Sequence, residues 1–175
     1  MDIELLGIDA FPDAPEVAET ETSFAGNALL KARAIAEATG LPAVADDSGL
    51  CVDALNGMPG ILSARWAGGH GDDDANLDLV LAQISDVPDR RRTASFQCAA
   101  AVALPDGTER VVEGSVEGRL LRERLGTQGF GYDPIFVPFG HEITTAQMTA
   151  EEKDAISHRG RALRSLAPVL AQLLS

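Results

Sequence analysis

Apolar stretches in this chain are short, punctuated by glycine, proline and acidic residues, and none approaches the ~20 residues needed to span a bilayer. An Ala-rich stretch predicts a helix over residues 24–38, with Ser23 as N-cap and Gly40 past the end as the stop. A second helix is predicted to open at Asp72 or Asp73 and to reach Ile84. Two more close the chain, over 149–155 and 158–174, the first opened by Thr149 and Glu152 as a capping box. Residues 3–8 read as a short strand, followed by a loop rich in proline and acid from Phe11 to Thr22. Pro42–Asp46 and Leu50–Ala54 read as short strands around an Asp-Asp-Ser-Gly turn. Residues 93–104 and 108–116 flank Pro105-Asp106-Gly107, a hairpin signal. Leu120–Arg124 reads as helical, and a Gly-rich loop and a short strand over 134–137 follow. With no repeat, low-complexity tract or linker, the pattern predicts a single domain over 1–175, α/β or α+β, with a mixed sheet.

Composition narrows the function. The chain has 175 residues, enough for one well-cored domain. Its formal net charge of −13 repels phosphate backbones, which excludes general binding to nucleic-acid polymers. The one basic run, Arg90-Arg91-Arg92, follows Asp86 and Asp89 and reads as a solvated connection. A small anionic ligand stays open, because a pocket needs only a few local cations. Lys31 and Lys153 are the only lysines beside twelve arginines, and both fall inside the segments described below. Cys51 and Cys98 are too few for a disulfide framework and are expected as reduced thiols in strand interiors. Met1-Asp2-Ile3-Glu4 has no basic n-region, so the expected setting is cytoplasmic, with no membrane association.

Four segments carry candidate chemistry. In Ala45-Asp46-Asp47-Ser48-Gly49-Leu50, two carboxylates beside a small hydroxyl suit a hard cation, and alternation along a strand turns one Asp toward a shared site. A turn with a local Asp cap is the other reading. Phe130-Gly131-Tyr132-Asp133-Pro134 offers aromatic faces for a base and, with Gly129, backbone that a ligand can approach; a packed turn is its alternative. Lys153, His158, Arg159 and Arg161 gather cations at the junction of two short helices, where N–H donors near Ser157 add to them; a solvated basic face is the alternative. Asn27 and Lys31, four apart, share a helix face, and upstream Glu16, Glu19 and Glu21 are candidate metal ligands.

Taken together, Phe24 with Asn27-Ala28-Leu29-Leu30-Lys31-Ala32, Ala45–Leu50, Gly57-Met58-Pro59-Gly60 with Ser63-Ala64-Arg65-Trp66, Gly129–Pro134, and Glu152-Lys153 with Ser157-His158-Arg159-Gly160 resemble the inosine triphosphate pyrophosphatase (Ham1-like) family. The resemblance covers roughly Glu16 to Leu166. It implies an elongated, two-lobed α/β fold of the anticodon-binding-like kind, with a mixed central sheet and the nucleotide in a cleft. It implies magnesium (Mg2+) as cofactor, hydrolysis of ITP, dITP and XTP to the monophosphate and pyrophosphate, and a homodimer. Carried over position by position, Glu19 and Asp47 fall on the metal side, with Asp47 as proton acceptor. Lys31, Ser48 and Arg65 fall on phosphate- or sugar-binding positions. Phe130, Gly131, Tyr132, Asp133, Lys153, His158 and Arg159 fall on the nucleotide and base site.

The chain departs from the family pattern in two places. The family opens with a buried strand ending in Ser/Thr-x-Asn-x-x-Lys, and nothing before Glu16 matches it, so that strand and motif are expected to be missing from the chain as written. This keeps open a nucleotide-binding protein, or a fragment, without efficient turnover. Gly26 stands where the family has an acid, three residues after Ser23, and is expected to weaken the helix start by ~1 kcal/mol.

Overall fold

A computed structural model describes residues 4–175. Its elements in chain order are α1 (Phe24–Thr39), β1 (Ala43–Val52), α2 (Asp73–Gln83), β2 (Thr93–Ala103), β3 (Glu109–Leu120), β4 (Phe136–Pro138), α3 (Ala150–Ile156) and α4 (His158–Leu173), with short 3-10 turns between them. The strands form one sheet in the order β1-β2-β3-β4, antiparallel throughout. The α/β class is the one expected, but no parallel pair occurs among the described strands. Each strand lies beside its predecessor in the chain, and the β2–β3 link is tight, Gly107 taking φ +87 and donating its N–H to the Leu104 carbonyl.

The chain divides into two compact units whose segments interleave. The first comprises Met1–Asp47, Cys98–Gly114 and Ala162–Ser175; the second comprises Ser48–Gln97 and Ser115–Arg161. The first is built around β2, whose residues from Cys98 onward alternate between two apolar faces. Ala99, Ala101 and Ala103 pack with Ala28, Ala32 and Ala36 of α1. Cys98, Ala100 and Val102 pack with Ala162 and Leu166 of α4. That double burial explains why this strand reads as a continuous apolar run. Helix α1 begins where the Ser23 side chain accepts the Gly26 N–H and stops at Gly40, whose left-handed φ of +67 and N–H bond to Ala36 close it.

The second unit packs Leu50 and Val52, Leu77 and Val80 of α2, Ile84 just past its end, and Phe96, Leu120 and Phe136 into one core. Phe96 and Phe136 meet edge to face, ring centroids 4.7 Å apart. Buried Arg92 ties the far end of this core together. Its guanidinium donates to the carbonyls of Leu120, Ile84 and Leu121 at 3.1, 2.5 and 2.7 Å.

Several sequence expectations are corrected. Glu4–Gly7 has no regular structure and Ile8–Ala10 is a 3-10 turn, so no strand forms there; Ile3 lies outside the described residues. The two strands expected around an Asp-Asp-Ser-Gly turn are a single strand, β1. Its polar centre stays extended because Asp47 and Ser48 find side-chain partners in place and Leu50 and Val52 are fully buried beyond it. Leu120–Arg124 is not helical. Strand β3 runs on to Leu120, pairing Gly118 with Pro138 and Leu120 with Phe136, and the chain then bends where Arg92 takes the carbonyls of Leu120 and Leu121. A side chain at Gly118 would collide with the Val137 carbonyl at 2.3 Å, so glycine permits that pairing. Both cysteines are unpaired with each other. Among the described residues, no helix is long and apolar enough to cross a membrane.

Candidate active site

In the first unit, chemistry collects at the junction of α1 and β1. Asn27, fully buried in the first turn of α1, donates its side-chain amide to Asp47 Oδ2 at 2.9 Å. Its own carbonyl accepts the backbone N–H of Glu21 at 3.0 Å, which fixes which way the amide points. One turn on, Lys31 places its ammonium 2.7 Å from Glu19 Oε1 and 3.8 Å from Asp47 Oδ1. Asp47 is almost entirely buried, Glu19 and Lys31 partly so. Glu16 is exposed, and Glu21 contributes its backbone to Asn27. Two carboxylates around one cation are a donor set a hard divalent ion would accept. No group of three His, Cys, Asp or Glu side chains converges among the described residues, so these residues alone form no closed metal cage. Magnesium commonly takes one or two carboxylates and completes its shell with water and substrate phosphates, which fits Glu19 with Asp47.

In the second unit, Phe130, Lys153, His158 and Arg159 line one cavity of about 270 Å³ together with Gly129 and Ser157. Phe130 is 64% exposed as a residue, and the Lys153 ammonium sits 4.9 Å from its ring centroid. Lys153 is pinned in turn by buried Asp133. That carboxylate also accepts the Phe130 N–H at 2.9 Å and the Thr145 hydroxyl at 2.8 Å. Gly129 is required here, since a Cβ would lie 2.1 Å from Asp133 Oδ2, and its φ is +76. The His158 ring stacks on Phe96 at 5.0 Å and nearly parallel, which fixes the imidazole plane. Arg159, in the first turn of α4, donates to Ser48 Oγ at 3.3 Å.

The remaining expected residues stand apart from this cavity. Tyr132 is buried and donates its hydroxyl to the Ser63 carbonyl at 2.8 Å; burial, with the nearby Asp73 charge, pushes its phenol well above the ordinary range. The exposed stacking face therefore belongs to Phe130 alone of the two aromatics. Gly131 donates its N–H to Asp73, and Arg65 ends the 3-10 segment Gly60–Arg65 half-buried. Sequence reasoning missed the role of Asn27, although its four-residue spacing from Lys31 was the available signal. It also missed Thr145 and Asp73, whose contacts depend on chain segments far away in sequence.

The Ham1 family model matches residues 1–169. A dITP/XTP pyrophosphatase of Streptomyces coelicolor is 67% identical over 171 residues, covering 98% of this chain and 86% of the relative. One from Nocardia farcinica is 59% identical, covering 98% and 83%. Among solved structures, a nucleoside-triphosphatase / dITP/XTP pyrophosphatase from Mycobacterium abscessus superposes with a TM-score of 0.82 at 58% identity, covering 97% of this chain and 86% of that one. The Ham1 protein of Staphylococcus aureus gives 0.90 at 40% identity, covering 97% and 87%.

Proposed function

The chain belongs to the Ham1 family, and from that premise we propose that it is a nucleoside-triphosphate pyrophosphatase clearing the deaminated purine nucleotides dITP, XTP and ITP. The observation that carries this reading is the held geometry of Asp47, a nearly buried carboxylate oriented by Asn27 and set beside Lys31 and Glu19. In the reaction, water attacks the α-phosphorus, the bond from that phosphorus to the bridging oxygen breaks, and pyrophosphate leaves. Asp47 takes the proton from the attacking water. Lys31 offsets phosphate charge, and Asn27 keeps Asp47 from turning away. Glu19 and Asp47 would hold a magnesium ion, which would supply further neutralisation of the triphosphate charge.

Base selection falls to the Phe130 cavity. Phe130 offers a stacking face, and Lys153, His158 and Arg159 offer donors. Hypoxanthine and xanthine present a 6-oxo acceptor where adenine presents a 6-amino donor, so adenine leaves such donors unpaired. A site built on hydrogen bonds of this kind discriminates by up to ~10⁴-fold. Ser48 and Arg65 are assigned to the phosphates or sugar. The family resemblance adds a homodimer and a cytoplasmic setting, the first of which sedimentation would test.

The deciding experiment measures pyrophosphate release from dITP, XTP and ITP beside dATP, with magnesium and with chelator. Release from the 6-oxo nucleotides that greatly exceeds release from dATP and stops on chelation supports the proposal. Tight nucleotide binding without release would replace it with a binding protein.

A further inference from the structure

The aromatic platform of the second unit sits on backbone that does not hold itself. Gly126, Gly129 and Gly131 all take positive φ, at +89, +76 and +58, and glycine has little intrinsic preference for one such state. The Phe130 ring is mostly solvent-exposed, so packing does not fix it either. Hydrogen bonds do. Thr127 and Gln128 donate their N–H groups to the Ala146 carbonyl at 3.1 and 2.9 Å. Phe130 is tied to Asp133 in both directions, its N–H to the carboxylate at 2.9 Å and its carbonyl to the Asp133 N–H at 3.2 Å. Beyond the ring, nothing would stand within 4 Å of a Cβ at Gly131, and its N–H reaches across to Asp73 Oδ2 at 2.8 Å.

We propose that Asp73 is a positioning residue for nucleotide binding: its carboxylate, on the first turn of α2, accepts the Gly131 N–H and so fixes the Phe130 ring on which the purine stacks. The inference rests on the reading of the Phe130 cavity as the base site. Asp73 is available for this role because α2 is capped without it. Asp72 is the N-cap, its side chain accepting the Ala75 N–H at 3.0 Å. The helix that carries Asp73 is itself anchored, by Leu77 and Val80 in the core and by Arg124, which reaches Asp74 at 3.1 Å and Asp78 at 2.8 Å. A rigid helix thus supplies the outer tether of a glycine-hinged platform, and the two residues joined are 58 apart in sequence.

The test compares Asp73→Ala, Asp73→Asn and Asp86→Ala in the full chain. Asp73→Ala is expected to raise KM for dITP by about five-fold or more, as loss of one charge-assisted hydrogen bond implies, with kcat nearly unchanged. Asp73→Asn keeps an oxygen acceptor and should restore most of the affinity. Asp86→Ala removes an exposed carboxylate of the same unit that has no part in the tether or its anchor and should leave KM as it was. Hydrogen exchange at the Gly131 amide should quicken in Asp73→Ala alone. An unchanged KM and unchanged Gly131 exchange in Asp73→Ala, or an equal rise in KM for Asp86→Ala, overturns the inference. So does a joint fall of kcat and melting temperature. Absence of turnover in the parent would count against the proposed function; dIMP binding and Gly131 exchange, which need no turnover, then decide the role of Asp73.

Discussion

Asn27 and Asp47, twenty residues apart and both buried, are joined by a 2.9 Å hydrogen bond from the amide of one to the carboxylate of the other. The bond links the first turn of α1 to the centre of β1 and gives the carboxylate one orientation. Asn27→Asp replaces the donor with a second acceptor that carries charge. Two carboxylates at that distance resist ionising together, so one retains its proton to higher pH. The acid limb of the pH–rate profile should therefore move to higher pH, and kcat at neutral pH should fall by about ten-fold or more. An unmoved acid limb would show that Asn27 does not govern Asp47.

Asp47→Asn keeps the shape of the side chain and can still meet the Asn27 amide through its carbonyl oxygen. It loses the proton acceptor and a charge beside Lys31. Pyrophosphate release should fall by about 10³-fold or more with the melting temperature within a few degrees of the parent. Parent-like turnover in a folded Asp47→Asn chain would remove Asp47 from the mechanism.

Much of this was legible in the sequence, and the failures share a cause. Helix α1 announced itself through Ser23 and Gly40, because caps and stops are local chemistry acting within a few residues. The grouping of Lys153, His158 and Arg159 was legible for the same reason. The Asp-Asp-Ser-Gly segment misled because its composition favours a turn, while its extended form is held by Asn27 on Asp47 and Arg159 on Ser48, 20 and 111 residues away. Leu120–Arg124 misled because the local pattern is helical and the bend there is imposed by Arg92. Thr145 carries no local mark, and Asp73 is marked only as a helix start, not as a partner of Gly131. What they hold, Asp133 and Gly131, is fixed by tertiary packing.

Arg92 read as part of a solvated basic run, and it is instead among the most deeply buried side chains described. Burial pushes its guanidinium down from the ordinary arginine range, with the Arg122 charge adding to the effect and Asp89 opposing it. The group remains charged, since arginine does not deprotonate in proteins. Its three carbonyl partners make a fork that an ammonium cannot match. Arg92→Met should cost at least about 3 kcal/mol of stability by stranding those carbonyls, read as a lower denaturation midpoint. Arg92→Lys should recover only a small part. Full recovery by lysine would mean that charge, rather than the planar fork, holds the end of β3.

Gly26 offers the last expectation, and it reverses the sign that helix propensity gives. On propensity alone, alanine at this position would strengthen α1 by ~1 kcal/mol. The space a Cβ needs is already taken, with Glu21 Cβ at 2.7 Å and Ser23 Oγ at 3.1 Å. Gly26→Ala must push back the Glu21 backbone, which donates its N–H to Asn27 and so helps set the amide that orients Asp47. Alanine is therefore expected to lower stability by about 1–3 kcal/mol, the usual cost of overpacking, and to lower kcat with it. In a Glu21→Gly background the closest collision is gone and only Ser23 Oγ stays tight at 3.1 Å, so the same Gly26→Ala change should cost much less. Thermal melts and initial rates on dITP for the two single variants and the double variant measure this coupling. A Gly26→Ala chain more stable than the parent and equally active would show that the first turn of α1 has room to spare and that Glu21 plays no part in holding Asn27.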